Sequence, residues 1–304
     1  MAAPRFTALI GMLIVASAAS PPPPGGIARE AYVTLVTTPE FAVGAETLAK
    51  CLRHTGTRRP LVALVGSLVP DDVAAQLEDA GIRVMRVPDV QTPATIPPLN
   101  RPALNSTFSK LHIFGLHRDF DKVVYLDADV LVLQNLDALF ALDLSRGIPV
   151  AAAPEIMPPD RFNTGVMVVV PSEALHRRLL EAAAGAQTPE AYDQGLLNDV
   201  FADWFAQPAA NRLPFEYNVL QTVANYYEPA WNMLRPKMKV LHFAGDDSMK
   251  PWSFSGSLSP SLAAYLYLWQ SIARAPADSD IGGLFAVLNV TDAEQINALF
   301  QEGA

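Results

Sequence analysis

Apolar residues in the first part of the chain form short continuous runs that alternate with segments of helical spacing. The runs predict strands at 31–38, 60–66 and 82–87. Between them, apolar positions three and four residues apart predict helices at 40–55 and 70–81, and the second begins with Pro and acidic residues and ends at a glycine. Strands that alternate with helices in this way pair in parallel, so we expect a parallel arrangement here.

The alternation continues downstream. After a Pro-rich loop at 88–102, helical spacing returns at 107–117 and an apolar strand follows at 122–129. The same criteria predict strands at 148–155, 163–170 and 238–245, and helices at 172–185, 189–205 and 262–273. The whole pattern indicates an α/β fold with an open, mostly parallel, twisted sheet that carries helices on both faces.

The segment 1–26 differs from the rest of the chain. It contains Arg5, an apolar run at 6–19 and a stretch of Pro and Gly, which is the layout of a secretory signal peptide and a Pro-rich linker. The apolar run is shorter than the roughly 20 residues of a membrane-spanning helix. We therefore expect cleavage, and membrane contact only through an uncleaved segment. The predicted domain at 27–252 would lie in the Golgi or ER lumen or be secreted, with a C-terminal helical tail at 253–304.

Charge and cysteine content narrow the function. The chain has 22 Lys and Arg against 31 Asp and Glu, a formal net charge of −9. Nucleic-acid binding needs clustered positive charge, so no nucleic-acid partner is expected and any anionic ligand must be bound locally. Cys51 is the single cysteine, so neither an internal disulfide nor a Cys-rich zinc site is available. The oligomeric state stays open, with a homodimer among the alternatives.

Asp127 and Asp129 form a DxD motif where the predicted strand 122–129 ends. Ligands of open α/β sheets bind beyond the carboxyl ends of the strands, so a charged site is expected here. Two carboxylates in one turn can bind Mn²⁺ or Mg²⁺ and leave positions for the oxygens of a nucleotide diphosphate. The alternative is an Asp-rich turn that caps the next segment.

A second group of polar residues accompanies the predicted strand 238–245. His242 is a candidate third metal ligand, since imidazole suits Mn²⁺. Gly245 permits close approach of the backbone, and Lys250 supplies positive charge to a phosphate. Taken alone, His242 is more simply explained as a strand-end histidine bonded to the backbone. Together the two groups indicate a site that holds a metal and a diphosphate.

Seven motifs then occur in an order that resembles family 8 of the glycosyltransferases, in particular its glycogenin-like and plant-type glucuronosyltransferase-like members. Between residues 31 and 252 they are AYVTLVTTPEF, RPALNSTFSKLHIF, KVVYLDADVLVLQNLDALF, FNTGVMVVVPS, YDQGLLN, LPFEYN and HFAGDDSMKPW. The resemblance implies the GT-A nucleotide-sugar-binding fold and a UDP-sugar donor bound through Mn²⁺, with Mg²⁺ as the alternative. It also implies transfer with retention of the anomeric configuration.

The resemblance assigns roles to individual residues. It implies metal binding by Asp127, Asp129 and His242. It implies donor contacts by Leu35, Thr37 and Phe41 to uracil, Ala128 to ribose, Arg101 and Lys110 to phosphate and sugar, Asn163, Thr164 and Gly165 to the sugar, and Gly245 and Lys250 to the diphosphate. Asp193 and Gln194 would lie beneath the anomeric carbon and, with Lys110, carry the catalytic roles.

The chain departs from the family pattern in two places. Asn225 stands where glycogenin has its acceptor Tyr, which argues against self-glucosylation. Ala191 and Tyr192 stand where relatives often have two glycines, which would reshape the acceptor side.

The predicted function is that of a Mn²⁺-dependent retaining hexosyltransferase. The donor would be UDP-glucose, UDP-galactose or UDP-glucuronate, and the acceptor a glycan, a lipid or a polyol. Two alternatives from other classes stay open: a non-catalytic nucleotide-sugar-binding protein, and a metal-dependent phosphohydrolase built around the DxD motif. The products formed from a UDP-sugar distinguish the three.

Overall fold

The computed structural model describes residues 29–90, 107–156, 160–185, 192–256 and 258–289. The predicted signal peptide and linker at 1–26 and the candidate residue Arg101 lie outside the described residues. Numbered along the chain, the strands of the main sheet are β1 (Glu30–Val36), β2 (Leu61–Val65), β3 (Arg83–Arg86), β4 (Lys122–Leu126), β6 (Val150–Pro154) and β7 (Phe162–Val169). Their order in the sheet is β3-β2-β1-β4-β7-β6.

The first four strands of this sheet are parallel, as predicted. β1 lies between β2 and β4, and β3 pairs with β2 at the edge. β7 runs antiparallel to both of its neighbours, β4 and β6. Because β6 and β7 follow one another directly in the chain, with no room for the crossover helix that a parallel pair needs, they pair in opposite directions. Among the six strands β7 alone is reversed, so the sheet is mostly parallel.

Helices cover both faces of the sheet. In the described parts of the chain they are α1 (Ala42–His54), α2 (Asp71–Asp79), α3 (Glu173–Ala184), α4 (Tyr192–Val200), α5 (Thr222–Tyr226), α6 (Glu228–Leu234) and α7 (Pro260–Arg274). Alternate residues of β1 enter two separate apolar cores, Tyr32 and Val36 on one face and Val33 and Leu35 on the other. The first core contains apolar residues of α1, α2 and α7. The second contains those of α3 and α4.

A second, three-stranded sheet lies next to the first. It consists of β5 (Val130–Val132), β8 (Val219–Leu220) and β9 (Val240–His242), with β9 in the middle. The predicted strand 122–129 therefore ends early, at Leu126, because the chain turns at the DxD motif and enters this other sheet. The predicted strand 238–245 is likewise reduced to the three residues of β9.

Two predicted helices also differ from the structure. Residues Thr107–Arg118 form a 3₁₀ helix rather than an α-helix, with Phe108, Leu111 and Phe114 buried in the second core. The predicted helix 189–205 is shorter in the structure, since α4 ends at Val200 and a 3₁₀ turn follows. Both predictions rest on apolar spacing, which does not distinguish an α-helix from 3₁₀ turns.

The predicted tail helix 262–273 corresponds to α7, which packs on α1 within the first core. Its Leu262, Leu266 and Trp269 are almost completely buried. Over the described residues, the helices are too short or too polar to cross a bilayer.

Candidate active site

The two aspartates of the DxD motif and His242 meet at the end of the small sheet. β5 pairs with β9 in a register that sets Val130 opposite His242, and the N–H of Phe243 donates to the carbonyl of Asp129 at 3.0 Å. His242 Nε2 lies 3.3 Å from Asp129 Oδ1 and 3.7 Å from Asp127 Oδ2. One donor atom from each of the three side chains lies within 4.8 Å of the others. The strand register thus assembles the three predicted metal ligands.

Glycines permit this close approach. Gly44 on α1 lies so near the carbonyl of Ala128 and the ring of Trp252 that a Cβ there would overlap with Ala128. A Cβ at Gly165 would overlap with the imidazole of His242. The predicted residues Ala128 and Gly165 therefore shape the site through backbone contact.

Lys110 lies at the centre of the site, almost completely buried. Its Nζ is 2.7 Å from Asp193 Oδ2 and 3.1 Å from Asp127 Oδ1, and it donates to Thr164 Oγ1 at 3.3 Å. Burial by itself lowers the pKa of Lys110, but the two carboxylates outweigh burial and raise that pKa above its ordinary value. Lys110 is therefore a permanent cation that joins the DxD motif to Asp193.

Lys250 pairs with the other aspartate of the motif. Its ammonium contacts the carboxylate of Asp129, which His242 also approaches. Burial by itself raises the pKa of Asp129, but Lys250 and His242 outweigh burial and hold that pKa below its usual range. Gly245 precedes this lysine with a φ of +130°, a conformation that favours glycine.

Asp193 and Gln194 lie in the first turn of α4. This helix is tied to β7 because the side chain of Asn198 accepts from the N–H of Phe162 at 3.0 Å and donates to its carbonyl at 2.9 Å. Asp193 then accepts from the hydroxyl of Thr164 at 2.9 Å, and Gln194 Oε1 accepts from the N–H of Thr164 at 3.3 Å. The docking of α4 thus brings Asp193 to Lys110 and Gln194 to the backbone of Thr164.

A cavity of about 340 Å³ opens over these groups. The predicted residues among its lining are Leu35, Thr37, Phe41, Lys110, Asp127, Ala128, Asp129, Asn163, Thr164, Asp193, Gln194, His242, Gly245 and Lys250. Phe41 packs edge-on against Trp252, with ring centroids 5.0 Å apart, and lines the cavity together with Leu35 and Thr37. Apart from Arg101, for which the structure describes nothing, the sequence-predicted residues come together in or beside one cavity.

Several residues of the site were missed from the sequence. Tyr125 donates from its hydroxyl to Asp127 Oδ1 at 2.6 Å, and burial followed by the charge of Asp127 raises the pKa of Tyr125 well above its usual value. Glu155 accepts from Asn163 Nδ2 at 2.8 Å and from Gln194 Nε2 at 3.1 Å. An acid at the end of a predicted strand could have drawn attention to Glu155, as the DxD motif did.

Tyr192 is a further residue of the site, and from the sequence it is only a departure from the family pattern. It lines the cavity and has a φ of +35°, the single positive value among the described non-glycine residues. A bulky residue in this conformation is strained, and such strain concentrates at functional sites.

The donor set fits a divalent cation. Two carboxylates and an imidazole are ligands that Mn²⁺ accepts, and Mg²⁺ binds such carboxylates as well. The three side chains converge on one point with Lys110 and Lys250 at its edge, so an anion that accompanies the cation would also meet positive charge.

A mostly parallel α/β sheet, with a DxD turn beyond β4 and a histidine brought beside it by a small second sheet, defines the GT-A fold, as predicted. Residues 33–256 match glycosyl transferase family 8. The chain belongs to this family.

Known proteins agree with this assignment. The chain is 37% identical over 249 residues to glycogenin-1 of Caenorhabditis elegans, covering 81% of this chain and 56% of that protein. It is 30% identical over 247 residues to inositol phosphorylceramide glucuronosyltransferase 1 of Arabidopsis thaliana, covering 75% of this chain and 43% of that protein. The chain thus spans about half the length of these relatives.

Among solved structures, the apo form of the glycosyltransferase GlyE of Streptococcus pneumoniae TIGR4 superposes with a TM-score of 0.61 at 20% identity. The alignment covers 88% of this chain and 64% of that chain. The relatives confirm the predicted family, and the structural similarity confirms the fold.

Proposed function

We propose that the protein is a retaining hexosyltransferase that transfers a sugar from a UDP-sugar to a glycan, lipid or polyol acceptor. The observation that carries this proposal is the convergence, in one cavity, of a metal-binding triad, two lysines and the Asp193–Gln194 pair. Membership of family 8 supports the class of reaction. The donors we propose are UDP-glucose, UDP-galactose and UDP-glucuronate.

Asp127, Asp129 and His242 would hold the metal, with Mn²⁺ as the proposed ion. When bound, the ion supplies positive charge that neutralises a diphosphate and makes it a better leaving group. Lys250 lies beside Asp129 and is positioned to contact the same diphosphate. Phe41, with its ring supported by Trp252, would stack on the uracil.

Asp193 is the proposed residue beneath the anomeric carbon. Retention requires either a carboxylate nucleophile on the far face of the sugar or departure and attack on the same face. In both routes positive charge develops at the sugar, and a buried carboxylate held by Lys110 and Thr164 would stabilise it electrostatically. Gln194 is held by the N–H of Thr164 and would orient a sugar hydroxyl beside it.

We also propose that the protein acts in the lumen of the secretory pathway or outside the cell. The layout of residues 1–26 supports this location. Fusing residues 1–26 to a reporter should direct it into the secretory pathway, and a reporter that stays in the cytosol would contradict the proposal.

The test of the activity is the release of UDP from the three UDP-sugars, with Mn²⁺ and with EDTA. Asp127→Asn and Asp193→Asn should each reduce turnover at least 100-fold, which corresponds to about 2.7 kcal/mol of transition-state stabilisation. Asp199→Asn is a matched control, because Asp199 lies on the same helix as Asp193 with an exposed side chain. If the unmutated protein neither binds nor cleaves any UDP-sugar, the proposal is wrong.

A further inference from the structure

Behind His242, two buried amide side chains form a hydrogen-bonded chain that ends on its imidazole. The N–H of Gly165 donates to Asn163 Oδ1 at 2.9 Å, and Asn218 Nδ2 donates to the same oxygen at 2.8 Å. Asn218 Oδ1 in turn lies 3.0 Å from Nδ1 of His242. Asn218 directly precedes β8, which pairs with the strand that carries His242.

Two groups that can act only as a donor or only as an acceptor determine which atoms donate along this series of hydrogen bonds. The N–H of Gly165 can only donate, so Asn163 must present its oxygen to it, and the carboxylate of Glu155 accepts from Asn163 Nδ2 at 2.8 Å. Because Asn163 Oδ1 faces Asn218, Asn218 must present its NH₂ group there and its oxygen to His242. The neutral imidazole of His242 therefore carries its hydrogen on Nδ1.

These side chains are buried, so water does not compete for their hydrogen bonds. Asn218 is completely buried, and Asn163 and His242 are 6% and 4% exposed. With the hydrogen on Nδ1, the lone pair of Nε2 points toward Asp129 Oδ1 at 3.3 Å and Asp127 Oδ2 at 3.7 Å. A lone pair aimed at two carboxylate oxygens is stabilised by a cation held among them.

We propose that Asn218 is a positioning residue that prepares His242 for metal binding by accepting the Nδ1 hydrogen and directing the Nε2 lone pair into the site. The proposal rests on the proposed function only in requiring that the triad binds a divalent cation. The proposal adds Asn218 to the metal-binding site as a residue that touches neither metal nor substrate and acts through the imidazole of His242.

The direct measurement is nuclear magnetic resonance of the unmutated protein labelled with ¹⁵N-histidine. The chain has 5 His, so the His242 signals can be assigned by their loss in His242→Gln. We expect the neutral ring of His242 to carry its hydrogen on Nδ1. A neutral ring with its hydrogen on Nε2 would overturn the proposal, and this result depends on no Asn218 variant folding.

The second measurement is the affinity for Mn²⁺ alone, from the electron paramagnetic resonance signal of the free ion. Asn218→Leu should weaken binding 10- to 100-fold, the usual effect of losing a hydrogen-bond partner of a metal-binding histidine. Asn218→Asp keeps an oxygen for Nδ1 but loses the N–H that donates to Asn163 Oδ1, so it should recover part of that loss. Asn232→Leu, on an exposed position of α6, is the matched control and should bind as the unmutated protein does.

If Asn218 only filled space, the Asn218→Leu variant, whose side chain has the same branched arrangement of heavy atoms, would bind Mn²⁺ within twofold of the unmutated protein, and that result would overturn the proposal. Failure of the proposed function is distinguishable: it would appear as absent UDP release while His242 still carried its hydrogen on Nδ1.

Discussion

Replacing Lys110 with Met should destabilise the fold as well as abolish activity. Lys110 Nζ lies 2.7 Å from Asp193 and 3.1 Å from Asp127. At about 3 Å and an effective dielectric constant of about 20, each pair attracts by roughly 5–6 kcal/mol. Desolvation of the buried ammonium opposes this attraction by several kcal/mol. Removing the cation while both acids remain should lower the free energy of unfolding by about 3–5 kcal/mol.

Thermal and urea denaturation in EDTA would measure the loss. In a domain of this size, each kcal/mol lost from the free energy of unfolding lowers Tm by about 2–4 °C, so Tm should fall by roughly 6–20 °C. Lys237→Met is the control, because the side chain of Lys237 is 55% exposed and, among the described residues, pairs only with Glu216 at the surface, at 3.5 Å, and it should change the free energy of unfolding by less than about 1 kcal/mol.

The pH dependence tests the cause of the loss. The pKa of Lys110 is raised in the folded state, so its contribution to stability is complete at neutral pH and disappears only as the pH rises through that raised pKa. The difference in stability between Lys110→Met and the unmutated protein should therefore stay constant between about pH 6 and pH 8. A difference below about 1 kcal/mol, or one that already shrinks within this range, would refute the reasoning.

Three further predictions concern other parts of the site. Gly165→Ala should weaken Mn²⁺ binding at least tenfold without unfolding the protein, because its methyl group would displace the ring of His242; unchanged affinity would contradict this. Tyr192→Gly should raise the free energy of unfolding by about 1 kcal/mol by removing the strain of its positive φ, and a lower Tm would contradict it. The pKa of Asp129 is raised by burial but lowered further by Lys250 and His242, so its contribution is present above about pH 4 and is lost as the pH falls. Acid titration of stability should therefore be less steep in Asp129→Asn, and an equal slope would count against this assignment.

Much of the fold follows from hydrophobic spacing alone. The alternation of strands and helices between residues 31 and 87 predicts the parallel pairing of the first three strands, and the structure has it. The three-residue strand β9 could not be separated from a longer one, because its register with β5 is a long-range contact. Apolar spacing at 107–117 also predicts a helix without indicating that it is 3₁₀.

Some residues of the candidate site can likewise be recognised from the sequence, and others cannot. Asp127 and Asp129 are evident because they end an apolar run at the edge where ligands bind. Asn218 carries no such signal, since a buried asparagine is recognised as functional only when its hydrogen-bond partners are known. Lys110 is assigned from the sequence only through the family resemblance, because its role depends on two carboxylates brought to it from the turn after β4 and from α4.

The central claim, that this cavity is a retaining UDP-sugar transfer site, is tested most directly by following UDP-glucose, UDP-galactose and UDP-glucuronate with Mn²⁺ by proton nuclear magnetic resonance. With water as the acceptor, the account predicts UDP and a free sugar that is released first as the α-anomer, from at least one donor. Release of the β-anomer first would contradict retention. Formation of UMP and a sugar 1-phosphate would instead identify a phosphohydrolase, and unchanged donors with tight UDP binding would identify a non-catalytic nucleotide-sugar-binding protein.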